Sequence, residues 1–227
     1  MTAKHGSSFF ESDTYKQAIS NLYGIAIAGE RQAVENYLSL ISLMPVNKDT
    51  LERFSRMEQS HAKRFQDCAF NLDVIPNTDF GYHILSPLHD NFQVALKAND
   101  SVSCLFIQSI LIETFSLAAY LNYVGVADPY ARNQTQHIIT EELTHLDFSE
   151  YWMSVRLEEV RTHFFQSNSK NLRLIREMVN KFSDDAHTVG LKKIDLIISF
   201  IREYQKALTE IGYNFIDRLI LTVPLFF

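Results

Sequence analysis

Residues 101–127 read SVSCLFIQSILIETFSLAAYLNYVGVA, a stretch in which Glu113 is the one charged side chain. The stretch is long enough to cross a bilayer. However, Gln108, Asn122, Thr114 and several serines are spread along it, which favours the central helix of a soluble bundle over a membrane span. A carboxylate in the middle of such a helix is costly to bury unless it is paired or binds a metal. Residues 101–127 therefore predict a buried helix with a glutamate of special role near its centre.

Helical signals continue through the rest of the chain, and no segment shows the sustained alternation of a β-strand. Pro45, the break 76–79 and Gly190 separate the helices. The predicted helices cover residues 13–43, 47–72, 80–98, 101–125, 128–167, 170–189 and 192–221. No Gly/Ser-rich linker divides them. They predict one all-α domain over residues 1–227, a four-helix bundle core with additional helices.

The composition excludes several classes of protein. Apolar residues make up 46% of the 227 residues and charged residues 21%, proportions typical of a globular protein rather than a disordered one. The net charge of -6 argues against general nucleic-acid binding, which needs a basic surface. Cys68 and Cys104, the two cysteines, are too few for a disulfide framework. The first residues lack the apolar core of a secretory signal, so we expect a cytoplasmic protein without stable membrane insertion.

The pattern Glu-x-x-His occurs twice, from Glu58 to His61 and from Glu142 to His145. On a helix, positions i and i+3 lie on one face, so each copy presents a carboxylate and an imidazole to the same point. One such pair is weak evidence for a metal, because a lone histidine is more often packed or exposed.

An isolated glutamate precedes each motif at nearly the same distance, which strengthens the case. Glu30 lies 28 residues before Glu58, and Glu113 lies 29 residues before Glu142. Seven residues after each isolated glutamate, two helical turns along the same face, stands a tyrosine: Tyr37 and Tyr120. The two halves of the chain therefore repeat one arrangement at an offset of 83 to 84 residues.

Four carboxylates and two imidazoles that converge inside a helical bundle form the ligand set of ferritin-like di-iron and di-manganese proteins. Two divalent cations carry four positive charges, which four carboxylates balance, and iron and manganese accept oxygen and imidazole ligands. The predicted metal ligands are Glu30, Glu58, His61, Glu113, Glu142 and His145. Tyr37 and Tyr120 are expected to hold ligand carboxylates through hydrogen bonds, although an isolated tyrosine is usually a core residue.

Small residues accompany both isolated glutamates. They are Gly24, Ala26, Ala28 and Gly29 before Glu30, and Ser116, Ala118 and Ala119 after Glu113. Two interpretations stay open: close packing of helices, or room beside the metals for a slim ligand. The neighbouring side chains are apolar, so such a ligand would be a hydrocarbon chain.

Five segments resemble a known family in sequence, order and spacing. They are AGERQAVENY (28–37), RMEQSHAKRFQDC (56–68), SCLFIQSILIETFSLAAYLNYVGVADPYAR (103–132), EELTHLDFSEYW (141–152) and ALTEIGYN (207–214). Through these segments the chain resembles the cyanobacterial aldehyde-deformylating oxygenases, also called aldehyde decarbonylases, over residues 12–216.

The resemblance implies a di-iron enzyme that converts long-chain fatty aldehydes to alkanes or alkenes one carbon shorter, plus formate. It implies two iron ions, with manganese as an alternative, and consumption of O2 and external electrons. It further implies a ferredoxin-type electron donor, an acyl-carrier-protein reductase that supplies the aldehyde, and a monomer. The family's six ligands fall on the six residues predicted above. Other family residues near the site fall on Tyr37, Gln108, Tyr120 and Tyr123, and a family cysteine falls on Cys68.

The chain departs from the family pattern without losing a ligand. Glu141 stands where the family carries Asp, and Leu143 stands where Tyr is common. Ile84 and Leu85 replace a Phe-Phe pair in the third helix, and the C-terminal tail differs. We expect the first two changes to bear on turnover or metal retention, and the second two on aldehyde chain length.

Two other functions stay open. An iron-oxidising storage protein uses a similar ligand set, and it predicts a hollow multimeric shell that forms no formate. A metal-free carrier of fatty chains needs only the bundle, and it predicts no bound transition metal.

Overall fold

The computed structural model describes residues 7–226, apart from the side chains of Ser7, Ser8 and Gln166. Every regular element among these residues is helical, so the all-α prediction is confirmed for this part of the chain. The α-helices are α1 (Ser7–Phe10), α2 (Asp13–Leu40), α3 (Lys48–Asn71), α4 (Thr78–Lys97), α5 (Ser101–Leu105), α6 (Glu113–Val126), α7 (Pro129–Ser154), α8 (Leu157–Thr188), α9 (Lys193–Ile211) and α10 (Phe215–Thr222). Of the predicted domain, residues 1–6 and Phe227 lie outside the described residues.

Four long helices form the bundle core. α2 packs along α3, α3 along α7 and α7 along α6, while α4, α8 and α9 cover the outside. Local signals set where these helices begin. The Ser12 hydroxyl accepts a hydrogen bond from the Tyr15 amide, and the Asp128 carboxylate accepts from the amides of Tyr130 and Ala131 just after Pro129.

The apolar stretch from Ser101 to Val126 is a continuous helix in three parts. Between α5 and α6, residues Phe106–Ile112 form a π-helix, whose wider turn joins residues five apart. The segment Ser101–Tyr123 is long and apolar enough to cross a membrane, but 83% of its most apolar window is buried inside the fold. A core helix passes the same test of length and composition, and this helix lies in the bundle core.

One predicted helix boundary is wrong in the second half of the chain. The predicted helix 128–167 is interrupted at Val155 and Arg156, and α8 continues through the break predicted near residue 168. Neither Gly nor Pro marks the true interruption; instead, the Arg156 guanidinium lies over the Trp152 ring and donates to the Trp152 carbonyl. Asn168 stays helical because its side-chain amide is used in packing, where it donates to the Leu221 carbonyl.

The predicted helix 192–221 is also wrong as a single element. It divides at Gly212, which has a positive φ of 106° that glycine adopts readily. Asn214 then caps α10 by accepting from the Asp217 amide. α4 is continuous through Pro87. The Ser86 hydroxyl donates to the His83 carbonyl, the acceptor that a proline at position 87 leaves without an amide partner.

Two glycines let α2 and the start of α4 approach closely. A Cβ atom on Gly24 would lie 2.0 Å from the Asn77 carbonyl oxygen, and one on Gly81 would lie 2.1 Å from the Gly24 carbonyl oxygen. Any larger residue at either position would push the helices apart, and α4 closes one side of the cavity described below.

Candidate metal centre

The six predicted ligands meet in the middle of the bundle core. α2 supplies Glu30, α3 supplies Glu58 and His61, the first residue of α6 is Glu113, and α7 supplies Glu142 and His145. All six side chains are buried, none more than 4% exposed. Burial of four carboxylates at one place requires strong compensation, because a buried charge is costly unless it is paired or bound to a metal.

The six side chains form two overlapping groups. One group comprises Glu30, Glu58, His61 and Glu142, and the other comprises Glu58, Glu113, Glu142 and His145. Within each group, one ligand atom from every residue lies within 4.8 Å of the others. Glu58 and Glu142 belong to both groups, so each could bridge two cations.

Both imidazoles turn Nδ1 toward the carboxylates. His61 Nδ1 lies 3.1 Å from Glu58 and 3.3 Å from Glu142, and His145 Nδ1 lies 2.9 Å from Glu58 and 3.3 Å from Glu142. Even so, both Glu142 oxygens, Glu58 Oε1 and His145 Nδ1 are buried without a well-formed hydrogen bond to any described residue. Buried polar atoms are usually satisfied. Oxygen and imidazole donors that converge while lacking partners fit a metal pair.

The electrostatics of the cluster also favour cations. Burial raises the pKa of Glu58 well above its usual range, and the carboxylates of Glu142 and Glu30 add to the effect. Burial and the carboxylates of Glu142 and Glu58 likewise raise the pKa of Glu113. Burial opposes protonation of His61, but hydrogen bonds to Glu142, Glu30 and Glu58 outweigh it and raise its pKa. The cluster therefore holds protons that divalent cations would displace on binding.

Two tyrosines cross between the halves of the repeat. The Tyr37 hydroxyl, on α2, donates to Glu113 Oε1 at 2.8 Å, and the Tyr120 hydroxyl, on α6, donates to Glu30 Oε1. Each isolated glutamate is thus held by the tyrosine of the other half. The second carboxylate oxygen of Glu30 lies 3.6 Å from His61 Nδ1.

The π-helix positions a further polar group beside Glu113. Gln108 Nε2 donates to Glu113 Oε1 at 2.9 Å, five residues along the chain, and Asn36 Nδ2 donates to Gln108 Oε1 at 2.7 Å. Asn36 was not among the site residues predicted from the sequence. Its one available signal was its place directly before Tyr37, which is not distinctive.

Glu141 contacts one of the two imidazoles. Its Oε2 lies 2.8 Å from His61 Nε2, the ring nitrogen turned away from the other carboxylates. A carboxylate at this nitrogen fixes the ring orientation of a metal-binding histidine and increases its basicity. His145 Nε2 is buried without a partner among residues 7–226. Met57 occupies the position that corresponds to Glu141 in the first half of the chain.

An apolar cavity of about 110 Å³ adjoins the centre between α2 and α6. Gly29 and Tyr120, the neighbour and the hydrogen-bond partner of Glu30, both line it, and the walls otherwise are almost entirely apolar. The other lining residues are Ile19, Leu22, Tyr23, Ile25, Ala26, Phe65, Leu85, Leu88, Ile112, Phe115, Ser116, Ala119, Tyr123, Ile175, Met178, Phe182, Leu191 and Leu196. The apolar character of this lining suits a hydrocarbon ligand.

Comparison with known proteins agrees with this geometry. A model of the long-chain fatty aldehyde decarbonylase family matches residues 12–223. The chain belongs to this family. A solved structure described as a protein with aldehyde deformylating oxidase activity, from Synechococcus, superposes with a TM-score of 0.93 and 30% sequence identity. The match covers 94% of this chain and 98% of the Synechococcus chain. The predictions of family, enzyme class and ferritin-like fold are confirmed.

The resemblance also places Tyr123 near the site and matches Cys68 to a family cysteine, and both have defined surroundings in this decarbonylase. The Tyr123 hydroxyl is paired with the Tyr23 hydroxyl at 2.7 Å rather than with a carboxylate, and both rings line the cavity. Cys68 is fully buried close to Tyr23, and burial, with Asp128 and Asp67 nearby, raises the pKa of its thiol to about 12. A thiol in this state is a weak nucleophile at neutral pH.

The departures from the family pattern have separate structural consequences. Leu85 lines the cavity, whereas Ile84 is buried outside its lining. Leu143 is 37% exposed, so it faces away from the metal ligands on α7. Glu141 is the departure that touches a predicted ligand directly.

Proposed function

We propose that this decarbonylase is a di-iron oxygenase that converts long-chain fatty aldehydes to alkanes or alkenes one carbon shorter. The second product is formate, and the co-reactants are O2 and electrons from outside the protein. The observation that carries this proposal is the junction of two features: overlapping carboxylate–histidine groups that share Glu58 and Glu142, and an apolar cavity that reaches Glu30 through Tyr120. Membership of the decarbonylase family supports the substrate class.

Two iron ions are the cofactor that the donor set fits best, with manganese as the alternative. Glu30 and His61 would help to hold one ion, Glu113 and His145 the other, and Glu58 and Glu142, which belong to both groups, would contribute to both sites. When bound, the iron pair supplies the redox chemistry that lets O2 react with the aldehyde carbon. Four carboxylates would then be neutralised by four positive charges.

The protein's own residues position and shield the reacting groups. Tyr37 and Gln108 hold Glu113, and Tyr120 holds Glu30, so the ligand carboxylates keep their orientation while the redox state changes. The cavity walls bind the alkyl chain of the aldehyde and keep bulk water from the centre. Binding energy along the chain fixes the carbonyl carbon near Glu30 and the metals.

The remaining parts of the proposal follow from family resemblance. They comprise a ferredoxin-type electron donor, an acyl-carrier-protein reductase that delivers the aldehyde, and a monomer. A cytoplasmic location and a single domain are proposed from the sequence. Within residues 7–226, the apolar helix of membrane-spanning length is largely buried, which supports a protein that does not insert stably into a membrane.

The decisive experiment replaces Glu113 by alanine. The purified variant and the wild type are loaded with Fe(II) and incubated with a long-chain aldehyde, a reducing system and air. We expect the variant to lose stoichiometric iron and to form neither hydrocarbon nor formate, while circular dichroism shows the same helix content. Glu177→Ala, on the exposed face of α8, is the matched control and should retain both products. Normal yields from the Glu113 variant would refute the assignment. Iron uptake by the wild type without formate would point to iron storage instead.

A further inference from the structure

A second concave surface crosses the outer faces of α2 and α3, away from the apolar cavity. This groove has a volume of about 770 Å³. Its lining includes Arg31, Glu35, Arg56, Gln59, Ser60 and Lys63. Most of these side chains are exposed and polar, so the groove differs in character from the substrate cavity.

The groove carries positive charge on a negatively charged protein. Arg31, Arg56 and Lys63 face one carboxylate, that of Glu35, whereas the chain as a whole has a net charge of -6. Within the described part of the chain, none of these three cationic side chains makes an ion pair or a side-chain hydrogen bond. By contrast, Arg64 on the same helix donates to Gln134 at 2.7 Å. The three cations are therefore available to a partner with negative charge.

The groove lies directly behind the metal ligands. Arg31 follows Glu30 on α2, and Gln59 and Ser60 separate Glu58 from His61 on α3. The ligands point into the bundle while the groove residues point out, so one helix wall, about 10 Å across, separates the two. A redox partner seated in the groove would approach the centre as closely as the helices allow.

We propose that this groove is the docking surface for an acidic one-electron carrier protein. The proposal rests on the proposed function, which requires electrons from outside because the sequence carries no flavin or nicotinamide fingerprint. Charge complementarity identifies the partner: three unpaired cations attract an acidic surface, and the net negative charge elsewhere repels it from other faces.

The electron balance favours a transient contact of this kind. An aldehyde RCH2CHO, O2, four electrons and three protons give RCH3, formate and water. A one-electron carrier delivers one electron in each encounter. Four electrons per turnover therefore require the carrier to bind and dissociate four times. Polar surfaces steered by charge suit such short encounters better than large apolar interfaces do.

The test compares two triple variants of equal net charge. Arg31→Glu/Arg56→Glu/Lys63→Glu reverses the groove, and Lys192→Glu/Lys193→Glu/Arg202→Glu reverses exposed residues at α9. Calorimetry measures binding of an oxidised, acidic [2Fe–2S] ferredoxin to the iron-loaded full chain at 20 mM and 300 mM NaCl. We expect the groove variant to bind at least about tenfold more weakly than the wild type at 20 mM, and the α9 variant less than about twofold. The difference should shrink at 300 mM.

A parallel activity measurement separates this proposal from the proposed function. Hydrocarbon formation driven by the reduced ferredoxin should fall in the groove variant, while formation driven by a small uncharged chemical mediator should stay at the wild-type rate. Equal losses of binding in both triple variants, or none in the groove variant, would overturn the docking surface. Displacement of the ferredoxin by inorganic phosphate at constant ionic strength would also overturn it, in favour of a small-anion site. If neither the wild type nor the variants form hydrocarbon with either reductant, the proposed function is refuted. The binding measurements would still show whether the groove is the docking surface.

Discussion

Replacement of Glu150 by glutamine is expected to stabilise the protein, and to do so more strongly as the pH rises. Glu150 lies on α7, the helix that carries Glu142 and His145, yet its side chain points away from the metal centre and is 8% exposed. Burial, with Asp147 and Glu210 nearby, raises its pKa from 4.5 to about 7, and Lys206 offsets part of this effect. The folded protein therefore carries a penalty whenever this carboxyl is ionised.

The sign and size of the effect follow from proton linkage. Below pH 4.5 the carboxyl is protonated in the folded and unfolded states, and the penalty is absent. Between 4.5 and 7 only the unfolded state loses its proton, so stability falls as the pH rises. Above pH 7 the full penalty applies. The difference between the two pKa values would correspond to about 3 kcal/mol for a carboxyl without water contact, and solvent screening reduces this to about 1 to 2 kcal/mol. Glutamine stays neutral, so its advantage should grow from less than about 1 kcal/mol at pH 5.5 to about 1 to 2 kcal/mol at pH 8.5.

Urea unfolding monitored by circular dichroism at pH 5.5 and pH 8.5 measures this difference in the free energy of unfolding. Glu177→Gln, at an exposed position of α8, is the control and should differ from the wild type by less than about 0.5 kcal/mol at either pH. A Glu150 variant whose advantage is the same at both pH values, or which is less stable than the wild type at pH 8.5, would refute the reasoning.

Three further substitutions test other parts of the structure. Gly29→Ala places a Cβ 3.6 Å from the Leu85 side chain, an ordinary contact, so it should stabilise α2 by up to about 1 kcal/mol in urea unfolding and lower hydrocarbon yield from the longest aldehydes. Gly24→Ala forces a Cβ against the Asn77 carbonyl and should lower the free energy of unfolding by about 3 kcal/mol. Glu141→Gln removes the carboxylate that contacts His61 Nε2. Fe(II) titration should then show about 10- to 100-fold weaker binding of one of two iron equivalents. Unchanged binding of both equivalents would contradict a role of Glu141 in positioning His61.

The spacing of residues in the sequence predicts which side chains form the candidate metal centre. It does not predict which hydrogen bonds those side chains make to residues around the centre. Helical periodicity is local, so Glu-x-x-His and the tyrosine seven residues after each isolated glutamate can be placed on one face from sequence alone. The bond between His61 and Glu141 joins residues 80 apart and depends on how α3 and α7 align along their length. The same holds for Asn36 and Gln108, which are 72 residues apart.

The helix boundaries that were predicted wrongly lack a local signal or carry a misleading one. No glycine or proline marks the end of α7 at Ser154; the features found there are the contacts of Arg156 with the ring and carbonyl of Trp152. The sequence Ser-Asn-Ser at 167–169 is typical of a loop, but Asn168 is buried and also accepts a hydrogen bond from the Tyr204 hydroxyl at 2.6 Å. The π-helix before Glu113 has no sequence signature of its own.

Both interpretations of the small residues before Glu30 apply, at alternating positions on α2. Gly24 and Ala28 lie against the start of α4, where a Cβ on Gly81 would come within 2.9 Å of the Ala28 side chain. Ala26 and Gly29 face the cavity. Sequence alone could not divide the set, because the division depends on which neighbour each face of α2 meets.

The two halves of the internal repeat differ in the residue that stands five positions before the isolated glutamate. Five residues before Glu113 stands Gln108, whose amide holds that carboxylate; five residues before Glu30 stands Ile25, whose side chain lines the cavity. A polar amide beside Glu30 would bring water into the apolar cavity. Isoleucine at this position keeps the cavity wall next to Glu30 apolar. The other half keeps a closed polar network. The repeated ligand set therefore has asymmetric neighbours: a polar network beside Glu113 and an apolar wall beside Glu30.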